Sequence, residues 1–380
     1  MNPPSMNPSS MNRPSIDAET LITSWQASGA LPPEAHGAVV EAVRAAAAEE
    51  HPPLHLKILS AVGTLLATLF FLAFLVVADI ISLNSGSSLL GWGLAFLAAG
   101  IGLSLALPRT AQGIGRDILA QTAFTAMALG KVMSVAGIVL LAGAHTPWVP
   151  TAALLAVTVA TYPVSASSLD RTLSPYAVAA AALLEILGRG SFGRDPSLAV
   201  AALFTAATAV AGLLLLTHRV PQALRPIGIA ALATMGTIVC ILASGRDAGL
   251  WANQRPLDPR VIEAVLTLSL VGTIAWAAGG LGKLAQPPLA AATVGVVLLG
   301  FAGAPGISFA LLVLIVGHAL HDVPLRVVGV LALPVFLVLW YYGRDMTFLE
   351  KSATLVGSGL LLLAGRAIIG WAGWNREQTP

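Results

Sequence analysis

"QTAFTAMALGKVMSVAGIVLL", residues 121–141, is an apolar run broken near its middle by one lysine, Lys131. A helix rises 1.5 Å per residue, so about 20 apolar residues cross a hydrocarbon core roughly 30 Å thick. This run has that length, and similar runs recur along most of the 380 residues. The chain is 56% hydrophobic and only 10% charged, with mean hydropathy +0.83, whereas a soluble domain carries roughly 25% charged residues. Lipid is therefore the expected solvent for most of its surface.

In lipid every backbone N–H and C=O must be satisfied within a helix or a closed barrel. The runs are continuously apolar and rich in Ala, Leu and Gly, without the alternation of barrel strands. The expected fold is all-α, a polytopic transmembrane helix bundle of about twelve spans. They are read at 58–82, 88–107, 118–142, 147–164, 174–188, 197–217, 226–243, 260–282, 287–303, 306–320, 324–342 and 352–371.

Outside the bundle, residues 1–16 repeat Met-Asn with Pro and Ser and are read as a disordered tail without the apolar core of an export signal. Residues 17–56 carry Leu21, Ile22, Trp25 and Leu31, then Val39, Val40 and Val43 with Glu34, Glu41 and Arg44 on a wet face. Such a pattern predicts a short amphipathic helical hairpin on the cytoplasmic side. The bundle then occupies 57–371, and 372–380 is a cytoplasmic tail.

Basic residues near span ends favour the cytoplasm. Of the 20 Lys and Arg residues, 12 fall on the N-terminal side of this topology and 7 on the other, with Lys131 inside a span. The asymmetry places both termini in the cytoplasm of a cell whose inner membrane holds the chain. Net charge is only +2, which gives no reason to expect a nucleic-acid partner. The single cysteine, Cys240, is read as a small apolar filler.

An ionisable side chain at membrane depth is a functional candidate by default. Lys131 shares a helical face with Gln121 and Ala128, and Glu185 in the fifth span is its expected counter-charge. Two readings stand: a structural ion pair, or a polar path for a substrate or protons. Asp79, Glu263 and His318 lie nearer span ends, where water reaches. His318, His321 and Asp322 in GHALHD are a weak metal candidate, two imidazoles and a carboxylate near one helix turn. The turns SSLDRTLSP, THRVPQALRP and HALHDVPLR read as similar cytoplasmic hairpin turns.

Enzyme signatures are missing: no HExxH helix, GxSxG elbow, phosphate loop or Cys-x-x-Cys occurs. No catalytic residue, resident metal or cofactor is expected on these grounds. The polar island between the last two spans, in "WYYGRDMTFLEKSATLVGSGLLLLAGR" (340–366), is read as an anchoring turn. Tyr341 and Tyr342 suit the headgroup level, Lys351 can reach toward it, and Ser352 is placed to cap the final helix.

The run APGISFALLVLIVGHAL together with that island resembles the C-terminal end of an uncharacterised bacterial multi-pass membrane family, domain of unknown function 4401. The matching features are Tyr341-Tyr342, Thr347-Phe348-Leu349 and Lys351-Ser352. The chain departs from the family pattern at Gly343-Arg344-Asp345 and in having Phe348 where a leucine is usual. The resemblance implies a partner, a small membrane-anchored protein with a Gly-Asp-Tyr motif. Two function classes lead: a non-enzymatic envelope scaffold or binding partner, and a transporter or lipid-handling protein using Lys131. An intramembrane enzyme would rest only on GHALHD and Glu185.

Overall fold

A computed structural model of the protein describes residues 73–107, 114–143, 146–165, 167–189, 196–217, 220–243, 259–301 and 303–342, with isolated positions at 63, 66, 67, 70, 71, 349, 352 and 356. The expected tail 1–16, the hairpin 17–56, the tail 372–380 and most of the last span lie outside the described residues.

The described chain is helical throughout. Its helices are α1 (Gly86–Ala106), α2 (Ile114–Ala142), α3 (Val149–Thr161), α4 (Ser168–Arg189), α5 (Pro196–Leu216), α6 (Arg225–Ala243), α7 (Arg260–Ala277), α8 (Pro287–Phe301), α9 (Pro305–Ala319) and α10 (Val323–Tyr342). Single 3-10 turns precede α6 (Gln222–Leu224) and α8 (Leu281–Ala285). Local chemistry sets the boundaries. Ser85 caps α1 by accepting from the Ser88 amide at 3.3 Å, and Pro305 opens α9, where a missing N–H costs nothing. The helix ending at residue 77 stops at Asp79, whose φ of 55° is left-handed. The first span therefore ends short of the expected residue 82.

Six of these helices, α1, α2, α5, α6 with its preceding turn, α7 and α10, are long and apolar enough to cross a membrane. The count of about twelve is not reached among the described residues: most of the last expected span and part of the first lie outside them, and four of the other helices fall short. Helices α3, α8 and α9 are apolar but have only 13 to 15 residues, about 20–23 Å at 1.5 Å per residue. Helix α4 has the length but holds Asp170, Arg171, Glu185 and Arg189. The chain is an all-α bundle in which helices long and apolar enough to cross a membrane are packed with shorter or more polar ones.

Packing divides the bundle into two parts. Helices α4 to α10 share one large core in which Val200, Phe204, Ile238, Val239, Leu266 and Leu270 are fully buried. Helices α1 and α2 pack against each other far more extensively than any other pair, and α3 is their main further neighbour. Leu75, Ile81, Leu89 and Met133 form a small separate cluster beside that hairpin. Large apolar side chains such as Leu94, Val132, Leu213, Leu268 and Phe301 point outward, as lipid-facing residues do.

Glycines explain the closeness of α1 and α2. Gly86, Gly93 and Gly100 recur every seven residues on α1 and meet Gly137, Gly130 and Met127 of α2. A Cβ placed on Gly130 would stand 2.6 Å from the Leu97 amide nitrogen, and one on Gly137 would stand 2.6 Å from that of Leu90. Small residues let backbones approach where lipid offers no hydrophobic drive between helices.

Candidate functional site

Lys131 lies on the middle of α2 and is 5% exposed. Its ammonium has three protons to place, and the structure supplies three acceptors. The Nζ donates to Asp170 Oδ1 at 2.7 Å, to Asp170 Oδ2 at 2.8 Å and to Ser174 Oγ at 2.7 Å. Ser174 in turn donates to Asp170 Oδ1 at 3.0 Å. Asp170 and Ser174 are one helical turn apart, so both face the same way from α4. The triad is closed: each of the three lysine protons has an acceptor and both carboxylate oxygens are engaged.

The expected partner of Lys131, Glu185, is replaced by Asp170. Glu185 is also buried, at 6% exposure, but it lies fifteen residues beyond Asp170 on the same helix. That is about 22 Å along the axis at 1.5 Å per residue. A lysine clamped on Asp170 cannot also reach it.

Asp170 was hidden from a sequence reading because SSLDRTLSP looks like a wet turn ending in a helix-opening proline. Instead α4 begins at Ser168 and carries Pro175 inside it. Asp170 is 3% exposed. Asp170 stands in the first turn of α4, where the Lys131 side chain reaches it from the middle of α2. The irregular backbone before α4 is covered by protein. Here Ser165 is 1% exposed, its amide donates to Thr161 O at 3.0 Å, and Tyr162 Oη donates to Ala223 O at 2.7 Å. Arg171 lies 5.9 Å from the Tyr162 ring centre.

The GHALHD segment forms a tight α9–α10 turn. His321 takes a left-handed φ of 55°, and the Asp322 amide donates back to Gly317 O at 2.9 Å, an arrangement that closes a helix C-terminus. Asp322 then caps α10, accepting from the Leu325 amide at 3.2 Å, and pairs with Arg225 at 3.1 Å. The carboxylate suggested as a metal ligand is thus occupied by a cap and an arginine. Among the described residues no group of three or more His, Cys, Asp or Glu is placed to hold a metal.

At the other end of α10, Tyr341 and Tyr342 stack edge to face with centres 5.2 Å apart, and Tyr342 is 75% exposed. Ser352 is exposed and already in helical backbone, as is Leu349 before it; Lys351 lies outside the described residues. Glu263 stands in the first turn of α7, where a carboxylate favours the helix N-terminus. Cys240 is exposed on α6.

A cleft of about 230 Å³ lies inside the main core between α5, α6, α7 and α9. Its hydroxyls are already committed to their own helices: Thr208 donates to Phe204 O, Ser269 to Val265 O and Thr273 to Ser269 O. It is an apolar space. Lys131 is not on its wall.

A family model described as a domain of unknown function, DUF4401, matches residues 53–370, nearly the whole helical region. The chain belongs to the DUF4401 family. No curated protein and no solved structure matches it. The Lys131 triad, the apolar cleft and the α9–α10 turn all lie within the matched residues.

Proposed function

We propose that this chain is a non-enzymatic scaffold or binding partner embedded in a bacterial inner membrane, with both termini in the cytoplasm. The closed Lys131–Asp170–Ser174 triad carries this reading. A residue on a proton or substrate path must exchange partners, whereas all three donors of this ammonium are held by protein at 2.7–2.8 Å. The triad joins the α1–α2 hairpin to α4, which is a structural task.

The partner favoured by the family resemblance is a small membrane-anchored protein with a Gly-Asp-Tyr motif. Extraction of the membrane in polymer nanodiscs, followed by intact mass measurement, is expected to show such a protein bound in fixed ratio. The Lys131→Met, Asp170→Asn double variant is expected to keep it. A transporter or lipid-handling role is the second reading, and it is favoured by the apolar cleft and not by Lys131. A chain that always emerges alone and moves a solute into liposomes, with transport blocked by Gly212→Leu in the cleft, would replace the scaffold reading.

The orientation has its own test. A reporter active only in the cytoplasm, fused to the C-terminus, is expected to give signal because of the basic asymmetry. Activity of an extracytoplasmic reporter at that position would reverse the assignment.

A further inference from the structure

We propose that the end of the bundle formed by α7, α9 and α10 holds the phosphate of an anionic phospholipid in a pocket built on Arg326, His318 and His321. The pocket measures about 720 Å³ and is walled by these three residues with Trp276, Leu314 and Ile315. Arg326 is half-buried. Its Nε is shielded from solvent and makes no hydrogen bond, and no carboxylate pairs with the guanidinium among the described residues. Asp322, which caps its helix, is engaged by Arg225 and by the Leu325 amide.

A shielded guanidinium N–H without an acceptor is costly. A phosphate relieves that cost, because arginine's planar fork matches two phosphate oxygens. His318 and His321 supply further ring N–H donors on the same wall. These donors alone would suit any phosphate-bearing anion. The source is argued from the other wall: Leu314 and Ile315 lie one turn deeper on α9 than His318, so the pocket is basic at the helix ends and apolar toward the bundle centre. Trp276, at the end of α7, fits the headgroup level that tryptophan favours. A lipid presents a phosphate joined to an acyl chain in that order, and basic pockets between membrane helices bind such headgroups. This site is independent of the scaffold reading.

The test uses the full chain in nanodiscs of zwitterionic phosphatidylcholine, with phosphatidylglycerol titrated in and inorganic phosphate as the soluble competitor. Native mass measurement is expected to show retained phosphatidylglycerol. Arg326→Gln should weaken retention by about tenfold or more, the size expected for losing hydrogen bonds to a charged group. Arg326→Lys, which keeps the charge without the fork, should fall between. Thermal melting in pure phosphatidylcholine reports whether each variant folds. If Arg326→Gln does not, His318→Asn with His321→Asn provides the same comparison from the other donors. Equal phosphatidylglycerol retention by the wild type and folded variants would overturn the site. Displacement of the lipid by millimolar inorganic phosphate, or equal stabilisation by phosphate alone, would overturn the lipid as its source.

Discussion

Lys131→Met is expected to destabilise the protein by roughly 3–5 kcal/mol, the cost typical of removing one partner from a buried ion pair. Methionine matches the lysine stem in length but leaves Asp170 without its cation. Among the described residues, Ser174 is then the one side chain still bonded to that carboxylate. Asp170 is 3% exposed, so water cannot substitute without opening the α2–α4 contact. Adding Asp170→Asn removes the stranded charge, and the double variant should recover most of the loss, since a pair replaced as a whole is often close to neutral. Melting in mild detergent and abundance in the membrane measure both effects. The control that separates this account from the sequence-based pairing is Lys131→Met with Glu185→Gln. That combination is expected to be no better than Lys131→Met alone, and its recovery would return the counter-charge to Glu185.

The same experiment bears on function. If the double variant folds and still supports partner binding, the triad serves only to hold the hairpin. If it folds and the cell behaves as though the gene were absent, the charges themselves are used. Stability and phenotype thus separate two roles that a single substitution would confuse.

How far this was legible from the sequence depends on the residue. The apolar runs alone predict helices in the right places: ten of the expected spans overlap observed helices, eight of them within four residues at each end, while α4 begins six residues earlier and α7 ends five residues earlier than expected. What they cannot supply is pairing. The run 147–164 looks like a full span, but its helix ends at Thr161, and nothing in Tyr162-Pro163-Val164 announces that the next helix carries the acceptors for Lys131. Proline misled at 175: it reads as a helix start, and a membrane helix accommodates it internally because neighbouring groups satisfy the freed backbone. With α4 begun too late, Asp170 fell into a loop, and Glu185 became the nearest carboxylate left to pair with Lys131. A helix drawn through Pro175 would have put Asp170 and Ser174 on one face, the signal needed to find the triad. The seven-residue spacing of Gly86, Gly93 and Gly100 was equally readable, and only its partners needed the structure.

Those glycines set up the second large effect. Gly130→Ala is expected to cost about 1–3 kcal/mol, the range for forcing extra volume into a packed interface, although alanine is the better helix former by about 1 kcal/mol. The reason is what the added methyl meets: the Leu97 amide nitrogen at 2.6 Å and the Gly93 carbonyl oxygen at 2.9 Å. These are backbone atoms of α1 and cannot rotate aside, so the helices must separate along the whole glycine row. Gly102→Ala, on the same hairpin, meets nothing within 4 Å and should be neutral or slightly stabilising through helix propensity alone. Gly130→Val should be worse than Gly130→Ala, because branching at Cβ adds atoms on the crowded side. Because the hairpin has few other large contacts with the bundle, its loosening should also weaken the Lys131 triad, and Gly130→Ala combined with Lys131→Met should cost less than the two losses added. Melting temperatures for the four variants decide the matter: similar values for Gly130→Ala and Gly102→Ala would mean that the close α1–α2 contact does not hold the fold together.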